Sequence, residues 1–269
     1  MKNILVVITT AFVPTGGLTT VMMNYYRMMN KEEVKIDFAS TNNPPQVLLD
    51  EIHASGSEYC QLPDRKNVLA YFFALKKLCR GYDGMHVHAN SAMAVMELQA
   101  AIWAGIKIRI IHNHSSRSQH NLLNQLFLSL YRRSFTQAVA CSDEAGEWLY
   151  GKNGFITLRN AINAKRFKFD VVKRLIMRHN FGFGDDEYVI GHIGKFMEAK
   201  NHPFLIEVFT KYHALQPKSK LLLIGDGELR HLVEAAIDKN KVNDCVILAG
   251  LRSDIPDVLQ AIDIFLFPS

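Results

Sequence analysis

Residues 191–209 read GHIGKFMEAKNHPFLIEVF. An apolar strand runs into Gly194, Lys195 follows, and a short loop leads through Lys200 to a new helix. Asn201 or His202 is placed to cap that helix, and Pro203 suits its first turn. A helix start offers free backbone N–H groups and the positive end of a dipole, which favour an anion. Lys195 and Lys200 add two mobile charges at the same point, enough to hold a diphosphate and stabilise charge on a leaving phosphate. The competing reading, two solvated surface lysines, leaves the strand–Gly–Lys–loop–Lys–cap order unexplained.

The strand-then-helix unit repeats outward from this stretch. Before it, strands are expected at Ile4–Ile8, Val34–Ala39, Met85–His88, Lys107–His112 and Gln137–Ala140, with a weaker Phe155–Leu158. Helical patterns lie between them at Leu18–Met29, Val68–Arg80, Ala92–Ala104, Leu122–Arg133 and Glu144–Tyr150. Runs such as "ILVVI" are apolar throughout, as parallel strands covered on both faces are. The order restarts after the polar, basic stretch Arg159–Arg174, with strands at Tyr188–Ile193, Lys220–Ile224, Cys245–Leu248 and Ile262–Phe267. Helices at His202–Leu215, Glu228–Asp238 and Ile255–Ala261 separate them. The fold class is α/β: two Rossmann-like, doubly wound domains, residues 1–163 and 164–269, the second incomplete. Open sheets of this kind bind substrates at the carboxyl ends of their strands, so the site is expected among those ends.

Composition sets wide bounds. Of 269 residues, 48% are apolar and 21% charged, ordinary for a globular protein, and the formal charge is +5. That surplus suits an anionic partner, or signifies nothing. The four cysteines, Cys60, Cys79, Cys141 and Cys245, have no metal-type spacing and read as reduced, mostly buried thiols of a cytoplasmic protein. No run approaches the roughly 20 apolar residues that span a bilayer. "MKNILVVITTAF" fits a buried strand better than a signal peptide.

The remaining strand ends carry candidate contacts. "LLLIGDGEL" puts Gly225 and Gly227 around Asp226, where glycines permit positive φ and close approach of a planar ligand. It is not the GxGxxG fingerprint, which disfavours nicotinamide chemistry. In "ILAGLRSDIPDVLQ", Gly250 and Leu251 are placed to flank a base and Asp254 to cap a helix. Gly16 and Gly17, in "TTAFVPTGGLTTV", stand at a helix entrance; they receive phosphate or hydroxyl oxygens, or form a plain loop. "HVHAN" brings His86, His88 and Asn90, and "IIHNHSSRSQH" brings His112, His114 and Arg117. The histidine spacing argues against a metal: His112 and His114 alternate at a strand end and should point opposite ways. One histidine orienting a sugar hydroxyl or sharing a developing charge is the better functional reading, and His86 reads as a core residue.

With these motifs in hand, the chain resembles a retaining glycosyltransferase of the GT-B fold, family four, near the group that builds bacterial capsule and exopolysaccharide. The match runs through "TGG", "HVHAN", "IIHNHSSR", "LRNAIN", "HIGKFMEAKNH", "LLLIGDGEL", "VILAGLRSDI" and "AIDIFLFPS". The resemblance implies transfer of a sugar from a nucleotide-sugar, UDP-linked, to a glycan or lipid-linked acceptor with retained configuration and no metal or other cofactor. Lys195 and Lys200 would hold the donor diphosphate, Gly16 and Gly17 would face its phosphates, and Gly225, Gly227 and Leu251 would lie along the nucleotide. His112 would contact the transferred sugar, with His114 the alternative. The family usually carries arginine where this chain has Lys195, which loses the bidentate fork. After "FLFPS" the family continues into a spaced pair of glutamates that bind ribose and sugar, and the sequence stops at Ser269. The 269-residue chain alone is therefore expected to be weakly active or inactive.

Two other functions compete: a non-catalytic nucleotide- or partner-binding subunit of the same fold, and a nucleotide-sugar epimerase, which the strand ends fit less well. Nucleic acid is not an expected partner. The expected location is cytoplasmic, with peripheral contact at the inner membrane face. There "LLNQLFLSLYRR" reads either as a membrane-surface helix or, more simply, as a core helix with a basic last turn.

Overall fold

A computed structural model describes residues 1–14, 16–116 and 121–268, so Thr15 of the glycine loop, Arg117 and Ser269 lie outside the described residues. The chain forms two compact units, Met1–Ile162 and Asn163–Ser269.

Unit 1 alternates strand and helix: β1 (Lys2–Ile8), α1 (Gly17–Met28), β2 (Val34–Ser40), α2 (Gln46–Ala54), β3 (Tyr59–Gln61), α3 (Val68–Leu78), β4 (Gly84–Ala89), α4 (Val95–Trp103), β5 (Ile108–Asn113), α5 (Asn121–Ser134), β6 (Gln137–Ala140), α6 (Asp143–Tyr150) and β7 (Phe155–Thr157). Every strand pairs parallel, in the order β3-β2-β1-β4-β5-β6-β7. Leu5 and Val7 of β1 join α3–α6 in one core, while Val6 and Ile8 join α1 and α2 in another. Burial on both faces is why β1 is apolar without alternation. α6 begins where the Ser142 side chain accepts from Ala145 N–H, and ends at Gly151 with φ 89°.

Unit 2 contains α7 (Val171–Asn180), β8 (Tyr188–Ile193), α8 (His202–Leu215), β9 (Ser219–Ile224), α9 (Arg230–Asn240), β10 (Val246–Leu248), α10 (Ile255–Val258) and β11 (Ile264–Phe265). Its sheet is again all parallel, ordered β10-β9-β8-β11. α8 and α9 cover one face, and α7 and α10 the other. Arg178, 4% exposed, ties α7 to the start of β8 by donating to the carbonyls of Gly184 (2.7 Å) and Glu187 (2.6 Å) and to Asp263 (3.3 Å). Asp263 in turn accepts from Val189 N–H at 2.7 Å.

Several expected elements are revised. α2, β3 and α7 were not marked in the sequence: β3 has three residues, none buried, and α7 begins inside the stretch read as linker. The strand expected over Ile262–Phe267 pairs only at Ile264 and Phe265, and both remain exposed. All four cysteines are free; Cys79 and Cys245 are buried, and Cys60 and Cys141 partly so.

Candidate functional site

The turns that leave β8 and β9 are built against each other. Gly194 N–H bonds the Ile224 carbonyl at 2.9 Å, and Phe196 N–H bonds the Asp226 carbonyl at 3.0 Å. The Phe196 carbonyl receives Leu229 N–H at 3.2 Å, and its ring is fully buried beneath the turn. Gly225 (φ 145°) and Gly227 serve this contact. A Cβ on Gly225 would stand 2.0 Å from the Gly194 oxygen, and one on Gly227 2.5 Å from the Phe196 oxygen. The positive φ expected of this turn is present at Gly225, and the neighbour that fills the space of a Cβ at both positions is the chain's own backbone.

Above this base stand the two lysines. Lys195 is exposed and pairs with Glu228 Oε1 at 3.2 Å, an ion pair open to solvent on both sides. Lys200 is half-buried, its Nζ 4.6 Å from the centre of the Phe267 ring. Asn201 occupies the N-cap position of α8 in the left-handed conformation (φ 45°, ψ 48°), yet its side chain makes no capping bond. Neither does His202, which is buried with Nε2 unpartnered. The capping expectation therefore holds for position and fails for chemistry: Asn201 sits at the N-cap of α8, directly after Lys200, and its side chain leaves the helix start unbonded. Asp254 departs in the same way: it makes no cap bond for α10 and is held by Arg252 at 2.5 and 2.8 Å, which lowers its carboxyl pKa. Leu251, 64% exposed, follows Gly250, whose carbonyl accepts from Gly225 N–H at 2.9 Å.

In unit 1, Gly16 is the N-cap of α1 and donates its N–H to Val13 O at 3.0 Å, so that amide is committed within the loop. Among the described residues no side chain caps α1, its first turn has no acid, and Gly17 has no neighbour within 4 Å of where a Cβ would stand.

The histidines form one cluster. Parallel pairing sets His88 directly opposite His112, and His86 lies on the same face of β4. Ring centres are 4.3 Å apart for His86 and His88, 5.0 Å for His88 and His112, and 4.1 Å for His112 and His114. The expected divergence of His112 and His114 is overturned. β5 ends at Asn113, so strand alternation stops before His114, and the two rings stack. His88 Nδ1 and His114 Nε2 share a hydrogen bond of 2.9 Å. Burial lowers the pKa of every member: His86 and His114 to about 4, His112 to about 2, and His88 well below its usual value, with neighbouring histidines adding to the effect in all but His114. At neutral pH all four rings are uncharged. His112 is 1% exposed, whereas His114 is only partly buried and adjoins the loop that follows β5.

Two features escaped the motifs. Glu97 is fully buried on α4, bonded to Tyr71 OH at 2.9 Å and paired with Arg65 at 2.8 Å. Asn113 holds the post-β5 loop by donating to the carbonyls of Ser115 and Ala145, both at 2.7 Å. An acid at a buried helix position is the signal that would have found the first.

Comparison with known proteins meets the same fold. Residues 187–269 match the family described as Glycosyl transferases group 1. EpsF of Bacillus subtilis (strain 168), which bears a glycosyltransferase name, is 27% identical over 94% of this chain and 70% of its own. A UDP-Gal:alpha-D-GlcNAc-diphosphoundecaprenol alpha-1,3-galactosyltransferase of Escherichia coli is 23% identical over 94% of this chain and 70% of its own. Among solved structures, Anabaena HepE in complex with UDP and glucose superposes with a TM-score of 0.82 at 17% identity, over 100% of this chain and 74% of that one. The resemblance to GT-B glycosyltransferases stands, and by that resemblance the chain is a transferase.

Proposed function

We propose that this chain moves a sugar from a UDP-linked donor to a glycan or lipid-linked acceptor with retained configuration, as a family-four enzyme of polysaccharide biosynthesis. Residues 164–269 take the nucleotide-sugar and residues 1–163 serve the acceptor side. The observation that carries this reading is the loop between β8 and α8: it carries the exposed Lys195 and, directly before Asn201, Lys200, and it ends at a helix start that the N-cap side chain does not bond, a combination that suits a diphosphate. Related structures were obtained with UDP, UDP and glucose, or UDP-glucose, and the E. coli relative is named for a UDP-sugar and a diphosphoundecaprenol acceptor.

On this reading the ammonium groups neutralise charge as the diphosphate leaves, so the transfer asks for no cofactor. Leu251 offers an exposed apolar surface to the base. Gly225 and Gly227 set the turn beneath the nucleotide, and Gly17 at the open end of α1 faces its phosphates, with Gly16 shaping that loop. Of the two candidate histidines, His114 takes the sugar contact because His112 is buried among other rings. His114 acts uncharged, as a hydrogen-bond partner to a hydroxyl.

No helix among the described residues is long and apolar enough to cross a membrane, and contact with a lipid-linked acceptor falls to α5. Calorimetry with UDP and assay of UDP release from a panel of nucleotide-sugars test the whole. Binding of UDP is expected; failure to bind any nucleoside diphosphate ends the reading.

A further inference from the structure

The histidine cluster of unit 1 holds more nitrogen donors than partners for them. His86 Nε2 and both ring nitrogens of His112 are buried with no hydrogen bond, a condition rare enough in folded proteins to need a cause. His88 is buried as well, and His114 engages its Nδ1 at 2.9 Å, which leaves Nε2 available. One nitrogen from each of His86, His88 and His112 can be chosen so that all three lie within 4.8 Å of one another.

We propose that His86, His88 and His112 form a binding site for a divalent transition-metal ion of the zinc type. Four-coordinate zinc with Zn–N near 2.0–2.1 Å needs nitrogens about 3.4 Å apart, so the rings have only to close by small rotations. The backbone already sets them: two come from alternate positions of β4 and the third from the β5 residue in register with His88. Imidazole nitrogens suit zinc, copper, nickel and iron, and three of those in this cluster, His86 Nε2 and both of His112, have no hydrogen-bond partner. Three neutral ligands leave the ion's charge uncompensated, so the fourth position calls for an anion such as hydroxide. With Nε2 on the ion, His88 carries its proton on Nδ1 and donates it to His114. That contact fixes the orientation of the His88 ring and the position of its proton. Sequence spacing argued against this site because it sees neither the register of β4 with β5 nor the end of β5 at Asn113.

The test uses the chelator-treated chain and Co²⁺ as a visible probe. One equivalent is expected to give the intense absorption of four-coordinate cobalt, displaced by Zn²⁺, with Zn²⁺ raising the Tm. His112→Leu and His86→Asn should each weaken binding roughly tenfold or more. Should His112→Leu fail to fold, the half-buried His86 position carries the comparison. Two results overturn the proposal: a wild-type chain that takes up no stoichiometric Co²⁺ or Zn²⁺, or binding unchanged in His86→Asn, which would assign it to surface histidines. Neither readout depends on transferase activity.

Discussion

Lys195 contributes little to stability, which is what frees it for another task. Its partner Glu228 is as open to water as it is, and pairs of that kind are worth about 0–1 kcal/mol. Lys195→Ala should therefore leave the unfolding free energy within about 0.5 kcal/mol. It should weaken UDP binding about tenfold or more, the loss of a charge-assisted hydrogen bond of about 1.5–3 kcal/mol. Lys195→Arg restores the fork that suits phosphate and should tighten UDP relative to the parent chain. Calorimetry on the three proteins separates the cases, and UDP affinity indifferent to both changes would exclude Lys195 from the donor site. Gly227 behaves oppositely. Its missing side chain is needed by the Phe196 backbone 2.5 Å from where a Cβ would stand. Gly227→Ala should cost about 1–3 kcal/mol in chemical unfolding, and a neutral result would show that the two turns are not in contact. The sequence exposed both residues as interesting, but the glycine's reason was hidden, because the atom it avoids belongs to a loop 31 residues earlier in the chain.

At the scale of elements, α5 shows why periodicity alone divides opinion. Tyr131 is fully buried and Phe127 and Leu128 pack against the core, as a core helix requires. Leu122, Leu126 and Leu130, spaced by four, line a second stripe that is exposed, Leu122 by 83%, and the helix ends in Arg132 and Arg133. The core-helix reading holds on one face, and the other face leaves exposed the apolar stripe that the membrane-surface reading requires. An exposed leucine stripe with basic residues fits the surface of an anionic membrane. Leu126→Glu should therefore abolish sedimentation with anionic vesicles while changing stability by no more than about 0.5 kcal/mol. Vesicle binding that persists in the variant would remove α5 from that role. The long helices and fully buried strands were legible because their patterns repeat over many residues. β3 was not, since three residues, two half-covered and one exposed, carry no period. The histidine cluster was illegible for another reason: its geometry arises from pairing between strands 24 residues apart in sequence, His88 with His112.

For the molecule as a whole, the alternation of strands and helices foretold two parallel sheets. What it did not reveal is how many titratable groups those sheets hold away from water. In unit 2, His202 sits beneath Phe196, ring centres 4.5 Å apart, with His192 at 5.0 Å. Burial, then the charges of His192 and Lys200, lowers its pKa from 6.5 to about 4. His192 is lowered too, chiefly by burial, although its bond to the Leu266 carbonyl works against the shift. Above pH 6.5 the imidazole of His202 is neutral in folded and unfolded chains alike, and its full contribution to stability is present. As pH falls from 6.5 towards 4 the unfolded chain takes up a proton that the folded one refuses, so stability drops; below about 4 both forms are protonated and the loss levels off. Undiscounted, the shift would correspond to about 3 kcal/mol, and solvent screening makes the loss smaller than that. Urea unfolding of the parent chain and of His202→Gln across this interval reads the effect of His202 together with its coupling to His192, since the carboxylates are common to both proteins. The parent should lose stability more steeply between pH 6.5 and 4, by up to about the same amount. Parallel curves would mean that His202 meets water in the folded chain and that the loop from Phe196 to α8 does not seal the end of β8.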